Sequence, residues 1–217
     1  MDLYIIRHGD PDYDNDTLTD YGWRQAEALA KRLLSEGIDT IYSSPLGRAK
    51  ATAKPYADLT GKKVIIQPWA REIGPMHMPN QYFLSDECIE KGHRWFETER
   101  FKHIPLGEVA ACLHAGIDAI IGANGYERRN NVYVPYDPNN KKIALFCHGN
   151  MASVMIPHLL NVPINKTLAQ TVLYTTSITL FHFDDNPSGS LPVCTMFNER
   201  SHLKSLPDPN VDKIPQV

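Results

Sequence analysis

Short apolar runs alternate with amphipathic stretches along the first third of the chain. Residues 3–6 are apolar without interruption, a pattern typical of a strand that is buried on both faces of a parallel sheet. Thr19 is placed to cap a helix with apolar residues at helical spacing, and a second strand is predicted over residues 38–42. A further helix and a third strand follow, over residues 46 to about 59 and 64–66. This order of strands and helices predicts an α/β fold with a mainly parallel sheet.

The pattern loosens between about residue 74 and residue 140, where helical stretches and turns carry many of the aromatic residues. We interpret this segment as a partly helical insertion over the C-terminal edge of the sheet, not as an independent domain. Three more strands are predicted, over residues 143–147, 177–183 and 191–197. A helix capped by Asn150 and running through Leu160 follows the first of them. The length suits one domain over 1–217.

Composition is that of an ordinary soluble protein. The 217 residues are 42% hydrophobic and 22% charged, and the net charge of -3 gives no electrostatic footprint for nucleic acid or an anionic membrane. The four cysteines are scattered without a CxxC spacing, so we interpret them as reduced thiols and not as disulfides or a zinc site. The first strand follows Met1 directly, and we expect neither a signal peptide nor an apolar run of membrane length. We therefore expect a cytoplasmic protein whose oligomeric state the sequence leaves open.

Candidate chemistry lies where two of the apolar strands end in His-Gly. The first strand ends at Arg7-His8-Gly9, and the strand over residues 143–147 ends at His148-Gly149. Because the carboxyl ends of parallel strands form the ligand crevice of an open α/β sheet, both imidazoles are expected at one edge. Arg48 falls in the first turn of a helix near the same edge, and a helix N-terminus with an arginine suits an anion. Guanidinium groups suit phosphate oxygens, and a neutral imidazole can attack phosphorus.

An ordered set of motifs extends these strand ends from residue 3 to about residue 203. The set comprises Arg7-His8-Gly9, Leu18-Thr19 with Gly22 and Gln25-Ala26, residues 42–46 with Arg48-Ala49 and Thr52-Ala53, Arg71-Glu72, His148-Gly149, and Asn198 with Ser201-His202-Leu203. This set resembles the histidine phosphatase superfamily in its phosphoglycerate-mutase-like branch, with a weak match over residues 74–140. The resemblance implies a three-layer α/β/α sandwich and phosphoryl-transfer chemistry.

The resemblance implies roles for two histidines and two arginines of the motif set. His8 would attack a small phosphomonoester and form a phosphohistidine that water hydrolyses. Arg7 and Arg48 would bind the phosphoryl oxygens, and so would His148 and Gly149, with His148 also counted as catalytic. Because these groups neutralise the phosphoryl charge, neither a metal ion nor another cofactor is implied.

The same resemblance implies a general acid for the leaving oxygen. Glu72 is the candidate, since Arg71-Glu72 follows the third strand where the family carries its acid. Asp10 is the alternative, because it is adjacent to the Arg7-His8-Gly9 triplet.

The polar loop over residues 10–18 departs from the family pattern. Asp10, Asp12, Asp14 and Asp16 alternate here, so a phosphate contact from Asn15 is left open. The alternation is similar to an EF-hand calcium loop but lacks the glycine at the sixth place and the glutamate at the twelfth, which favours a solvated acidic loop. An acidic field near the site disfavours polyanions, and this favours a phosphatase over a phosphoglycerate mutase.

Several alternatives stay open at this point. A mutase of the same chemistry and a non-catalytic phospholigand-binding protein of the same fold both fit the motifs. His77 follows Glu72 closely enough to touch substrate, and Arg128-Arg129 could reach the site. The aromatic residues of the insertion could line a pocket or form a small core of their own, and we expect the latter.

Overall fold

The structure is a computed structural model that describes residues 1–73, 83–103 and 105–206 of the chain. The strands are β1 (Asp2–Arg7), β2 (Pro11–Asp12), β3 (Thr17–Leu18), β4 (Thr40–Ser43), β5 (Val64–Ile66), β6 (Tyr126–Arg129), β7 (Val132–Pro135), β8 (Lys142–Cys147), β9 (Ile178–His182) and β10 (Val193–Glu199). The α-helices are α1 (Asp20–Leu34), α2 (Gly47–Thr60), α3 (Asp86–Lys91), α4 (Leu106–Ala123), α5 (Gly149–Leu160) and α6 (Ile164–Gln170). Short 3₁₀ helices lie at Gly92–Glu97 and Ser201–Leu203.

A six-stranded, mainly parallel sheet lies at the centre of the fold. Its strand order is β10-β9-β1-β8-β4-β5. β1, β8, β4 and β5 run parallel, whereas β9 pairs antiparallel with both β1 and β10. Arg7 is in register with Cys147, and Ser43 with Phe146, so the carboxyl ends of β1, β8 and β4 stand side by side. The sequence prediction that His8 and His148 emerge at one edge of the sheet is confirmed.

Successive residues of the central strands are buried in two separate cores. Side chains on one face of the sheet pack against α1 and α2, and those on the other face pack against α4 and α5. The first set includes Tyr4, Ile6, Ala144 and Phe146, and the second includes Leu3, Ile5, Ile143 and Leu145. Because side chains alternate across a strand, burial of both sets explains the uninterrupted apolar runs. The predicted α/β/α sandwich is confirmed.

The segment predicted as an insertion supplies part of one helix layer. Ile117 and Ile120 of α4 are buried in the same core as β1 and β8. Trp95 and Phe101 join that core, with ring centroids 4.8 Å apart, so these aromatic side chains do not form a separate small core. For α4, the predicted position over the edge of the sheet is wrong, because its apolar face packs on a face of the sheet.

α4 is long and apolar enough, by length and composition, to cross a membrane, and the sequence analysis missed this. Its residues Leu113, Ile117 and Ile121 are nevertheless buried against the sheet and α5. About one third of this helix, 33%, is buried within the described structure.

Local boundaries follow the expected caps with two corrections. Thr19 caps α1 as predicted, and its Oγ1 accepts the Gly22 N–H at 3.0 Å. α5 begins at Gly149 with His148 as its N-cap, one residue before the predicted cap at Asn150, because the extended backbone of β8 ends at His148. Residues 10–18, predicted as a loop, contain the small hairpin β2–β3.

Candidate active site

His8 is buried just after β1, and its hydrogen bonding leaves one ring nitrogen free to attack. Nδ1 lies 2.7 Å from the Gly9 carbonyl oxygen. Because a carbonyl can only accept, Nδ1 carries the ring proton and Nε2 keeps its lone pair. Burial and the charges of Arg7 and Arg48 lower the pKa of His8 to about 3, although the bond to Gly9 opposes this. The ring is therefore neutral at neutral pH, as a nucleophile must be.

Arg7 joins the end of β1 to the segment that precedes β9. Its Nη1 donates to the Leu173 carbonyl oxygen. Its Nε is buried and has no hydrogen-bond partner among the described residues. A Cβ atom at position 149 would stand 3.4 Å from Arg7 Nε, so Gly149 keeps this edge of the guanidinium uncovered. The Nε–H group is placed to bind a ligand oxygen beside the N-terminus of α5.

Arg48 is held at the N-terminus of α2 by the loop that follows β1. Its Nη1 donates to Asp16 Oδ1 at 2.9 Å, and Asp16 Oδ2 accepts the Gly47 N–H at 2.6 Å. The Tyr13 ring lies 5.5 Å from the guanidinium carbon. A Cβ atom at position 47 would lie 1.8 Å from the Asp16 carbonyl oxygen, so only glycine allows the loop this close. Arg48 Nε is buried without a partner in the described part of the chain.

Three of the four aspartates in residues 10–16 make hydrogen bonds to other side chains, whereas the sequence predicts a solvated loop. Asp10 accepts the hydroxyl of the α1 cap residue at 2.7 Å, and Asp12 accepts the side-chain amide of Asn15 at 2.8 Å. Asp14 is exposed, as predicted, but Asp16 is bound to the site arginine, which sequence reasoning missed. No group of three or more His, Cys, Asp or Glu side chains within the described residues could hold a metal ion.

His148 lies at the junction of β8 and α5 with its ring beside His8. The two ring centroids are 5.2 Å apart. His148 Nε2 lies 2.7 Å from the hydroxyl of Ser44, a buried residue that the sequence analysis did not select. Burial, and then the nearby His8 and arginine charges, lower the pKa of His148 to about 2, so the ring is neutral. Ser44 Oγ already accepts the Leu46 N–H at 3.2 Å, so we assign its own proton to the bond with His148 Nε2. The ring proton of His148 is then on Nδ1, which is buried and without a partner in the described structure.

Glu72 is anchored at the N-terminus of α5. Its Oε1 accepts the N–H groups of Ile73 and Met151, both at 3.0 Å. Burial raises the pKa of Glu72, while the bonds from the backbone of Met151 and its neighbours act in the opposite direction. Because Oε1 is occupied by two donors, the proton of the acid form belongs on Oε2. A carboxyl group with this bias is suited to general acid catalysis.

Glu72 and Arg7 border a cavity of about 400 Å³ at the carboxyl edge of the sheet. Asn150 and Ser153 of α5 form one wall, and Thr171 and its neighbours form the opposite wall. Asp10, the alternative acid, is bonded to the cap of α1 and is not among the described residues that line this cavity.

Asn198, one of the motif residues, holds the wall that contacts Arg7. Its Oδ1 accepts the Tyr174 N–H at 2.9 Å, and its Nδ2 donates to the Val172 carbonyl oxygen at 2.8 Å. Between these two bonds, the Leu173 carbonyl accepts from Arg7. The side chain of Asn198 thus fixes the segment that orients Arg7.

Three buried donors lie near His8. They are Arg7 Nε, Arg48 Nε and His148 Nδ1, and none of them is paired within the described residues. Buried polar groups in folded proteins are almost always paired, so a set of three unpaired donors calls for a ligand that accepts. Both arginines are close enough to depress the pKa of His8. The arrangement suits the three oxygens of a phosphoryl group whose phosphorus faces His8 Nε2.

Other residues considered from the sequence lie elsewhere. Arg128 and Arg129 belong to the hairpin β6–β7, at the amino end of β1, where the Met1 amino group donates to Tyr126 Oη at 3.3 Å. They are therefore at the opposite end of the sheet from His8. His77 lies outside the described residues. Burial raises the pKa of the Cys147 thiol to about 12, which excludes this cysteine as a nucleophile.

Comparison with known proteins identifies a family that this chain matches over most of its length. The family model described as histidine phosphatase superfamily (branch 1) matches residues 3–191. A probable phosphoglycerate mutase GpmB of Yersinia pestis is 27% identical over 181 residues, which cover 75% of this chain and 76% of the relative.

Solved structures extend the comparison. A phosphoserine phosphatase of Entamoeba histolytica, determined in complex with 3-phosphoglyceric acid, has a TM-score of 0.66 and 25% identity, and the match covers 93% of this chain and 98% of that chain. The alpha-ribazole phosphatase of Shigella flexneri has a TM-score of 0.65 at 18% identity, covering 92% of this chain and 97% of that chain, and so supports the fold alone.

Proposed function

The chain belongs to the histidine phosphatase superfamily, and from that membership we propose that it hydrolyses small phosphomonoesters through a phosphohistidine on His8. The observation that carries the proposal is the set of three unpaired donors of Arg7, Arg48 and His148 around a neutral imidazole with a free Nε2. A phosphoryl group supplies the three acceptors and the electrophile that this set lacks.

The first step transfers the phosphoryl group to His8. The Nε2 lone pair attacks phosphorus, the N–P bond forms, and the bond from phosphorus to the ester oxygen breaks. Glu72 gives its Oε2 proton to the departing oxygen, so an alcohol leaves and the carboxyl becomes a carboxylate. Arg7, Arg48 and His148 hold the remaining three oxygens throughout.

The second step returns His8 to its neutral form. Glu72, now a carboxylate, takes a proton from a water molecule as that water attacks the phosphohistidine. The N–P bond breaks, inorganic phosphate leaves, and both His8 and Glu72 regain their starting protonation states. The Gly9 carbonyl holds the Nδ1 proton in both steps, which keeps the Nε2 position as the reacting atom.

We propose that no metal ion takes part. Two guanidinium groups and the His148 Nδ1–H group provide the charge and the hydrogen bonds that Mg²⁺ provides in other phosphoryl transfers. Activity that persists in EDTA would support this point.

A mutase of the same chemistry is the second candidate, since the matched relatives include a probable phosphoglycerate mutase. A mutase must hold a second anionic group beside the phosphoryl site. Arg128 and Arg129 could have bound this second anionic group, but they lie at the other end of the sheet. This favours transfer to water. Dependence of turnover on a bisphosphate primer would favour the mutase instead.

We further propose that the chain acts as one unit over 1–217, in the cytoplasm, on small-molecule substrates and without nucleic acid or membrane partners. The net charge of -3 and the burial of the apolar face of α4 support this proposal. A non-catalytic role is disfavoured because His8, Glu72 and His148 are all present, with the rings of His8 and His148 5.2 Å apart and Glu72 on the cavity that Arg7 also lines.

Hydrolysis of p-nitrophenyl phosphate in the presence of EDTA tests the proposal. The chain should turn the ester over, and His8→Ala should abolish turnover. His182→Ala is the matched control, because His182 is half exposed on β9 at the opposite end of the sheet and should be dispensable. Full activity of His8→Ala would overturn the mechanism.

A further inference from the structure

The walls of the cavity beyond Arg7 present hydrogen-bond acceptors. From this polarity we propose that the preferred substrates are phosphomonoesters of uncharged, hydroxylated alcohols, such as small polyols or sugars. Esters whose alcohol carries a carboxylate or a second phosphate should be poor substrates. The inference rests on the proposed phosphatase function and concerns the leaving group alone.

The hydroxyl groups of Ser153 and Thr171, which line the cavity, both donate to backbone carbonyl oxygens. Ser153 Oγ donates to the Gly149 carbonyl oxygen at 3.0 Å, and Thr171 Oγ1 donates to the Thr167 carbonyl oxygen at 2.6 Å. A hydroxyl has one proton and two lone pairs, so each oxygen is left with acceptor capacity only. Ser153 and Thr171 both line the cavity, and a ligand hydroxyl can donate to either of them.

Asn150 and Glu72 place further acceptor oxygens beside the cavity. The Asn150 amide nitrogen donates one of its two hydrogens to the Ile73 carbonyl oxygen at 3.5 Å, and Oδ1 is an acceptor beside the cavity together with the remaining N–H donor. Glu72 becomes a carboxylate once it has protonated the leaving oxygen. A ligand carboxylate can only accept, so it would leave these acceptors unpaired and meet a like charge.

The positive charge that lines this cavity is already engaged. Arg7 binds the Leu173 carbonyl and, in the proposed complex, a phosphoryl oxygen. The other described residues of the lining, such as Tyr13 and Val172, carry no positive charge. The charge of Arg7 also disfavours an ammonium group on the alcohol, so hydroxyl groups are the donors that fit.

A matched pair of substrates tests the inference. Glycerol 1-phosphate and 3-phosphoglycerate differ by a CH₂OH group in place of a carboxylate. We expect kcat/KM to be about 10- to 100-fold higher for glycerol 1-phosphate, the loss that follows from unpaired buried polar groups. Equal values, or a preference for 3-phosphoglycerate, would overturn the inference. p-Nitrophenyl phosphate serves as the check on function, because absence of its turnover would contradict the phosphatase itself.

Two variants test whether the oxygens of Ser153 and Thr171 cause the substrate preference. Ser153→Ala and Thr171→Val each remove one acceptor and should lower kcat/KM for glycerol 1-phosphate about 2- to 10-fold more than for p-nitrophenyl phosphate. Thr60→Val is the matched control, because Thr60 makes the same bond to a carbonyl four residues back, at 2.8 Å, at the far end of α2. Equal losses on both substrates would contradict a specific role for these oxygens.

Discussion

Replacement of Glu72 by glutamine (Glu72→Gln) isolates the proton that the leaving oxygen needs. The glutamine side chain would keep an oxygen in the Oε1 position, which accepts from the Ile73 and Met151 N–H groups at 3.0 Å. The N-terminus of α5 would therefore stay in place. The change removes only the acidic proton on Oε2, so its effect on rate reports general acid catalysis and not the loss of an anchor.

The expected loss follows from what a positioned acid contributes. General acid catalysis supplies about 10²- to 10⁴-fold, which corresponds to about 2.7–5.4 kcal/mol of transition-state stabilisation. An alkyl phosphate, whose alkoxide is a poor leaving group, should lose rate over this whole range. p-Nitrophenyl phosphate, whose anion leaves without help, should lose less than about 10-fold in its phosphorylation step.

Rapid-quench measurement of the first turnover separates this step from hydrolysis of the phosphoenzyme. The two substrates are compared in the parent chain and in Glu72→Gln, with the amount of alcohol released as the readout. If the first-turnover rates of both substrates fell by the same factor, Glu72 would be a structural residue and the assignment of the acid would be wrong.

Two further predictions concern Arg48 and the buried imidazoles. Asp16→Ala should lower kcat/KM about 10- to 100-fold, because Arg48 loses the carboxylate that fixes its position. Asp16→Asn should recover most of that loss. Asp14→Ala is the control in the same loop and should leave kcat/KM unchanged. Burial depresses the pKa values of His8 and His148. Below about pH 6.5 the unfolded chain therefore binds more protons than the folded chain does. The free energy of unfolding is highest above about pH 6.5 and falls as the pH decreases below it. Each of these two rings should contribute about 1.4 kcal/mol between about pH 7.5 and about pH 5.5, and His114 and His202, whose pKa values burial also lowers to about 4, should add to the fall. Urea unfolding should therefore give a free energy at least about 2–3 kcal/mol lower at about pH 5.5 than at about pH 7.5, and no change would contradict the neutral rings.

The chemistry at the strand ends could be predicted because each residue lies within a few positions of an element boundary. Arg7-His8 ends β1, His148 ends β8, and Arg48 begins α2. Apolar runs identify the strands, and the parallel arrangement brings their ends together. Glu72 was selected as the candidate acid only through the family resemblance, because it follows β5 after several irregular residues and no local sequence pattern identifies it.

The remaining features depend on how separate segments approach in space. Asp16 pairs with Arg48 because Gly47 lets two loops touch, and nothing in an alternating acidic run identifies which carboxylate does so. Likewise, the apolar pattern of α4 indicates burial without indicating the surface it covers, so sequence reasoning assigned it to the edge of the sheet. The hairpin β6–β7 was missed because its strands are only four residues long and because β6 carries the charged residues Glu127, Arg128 and Arg129.

Direct detection of the phosphoenzyme tests the central claim. The chain is mixed with a phosphomonoester, quenched within one turnover and mapped by mass spectrometry, and the attachment atom is then determined by NMR. Acid-labile phosphate on His8 Nε2 is expected, because Nδ1 is bound to the Gly9 carbonyl. His8→Ala should carry none. Phosphate on Nδ1 or on another residue, or turnover that continues in His8→Ala, would contradict the mechanism.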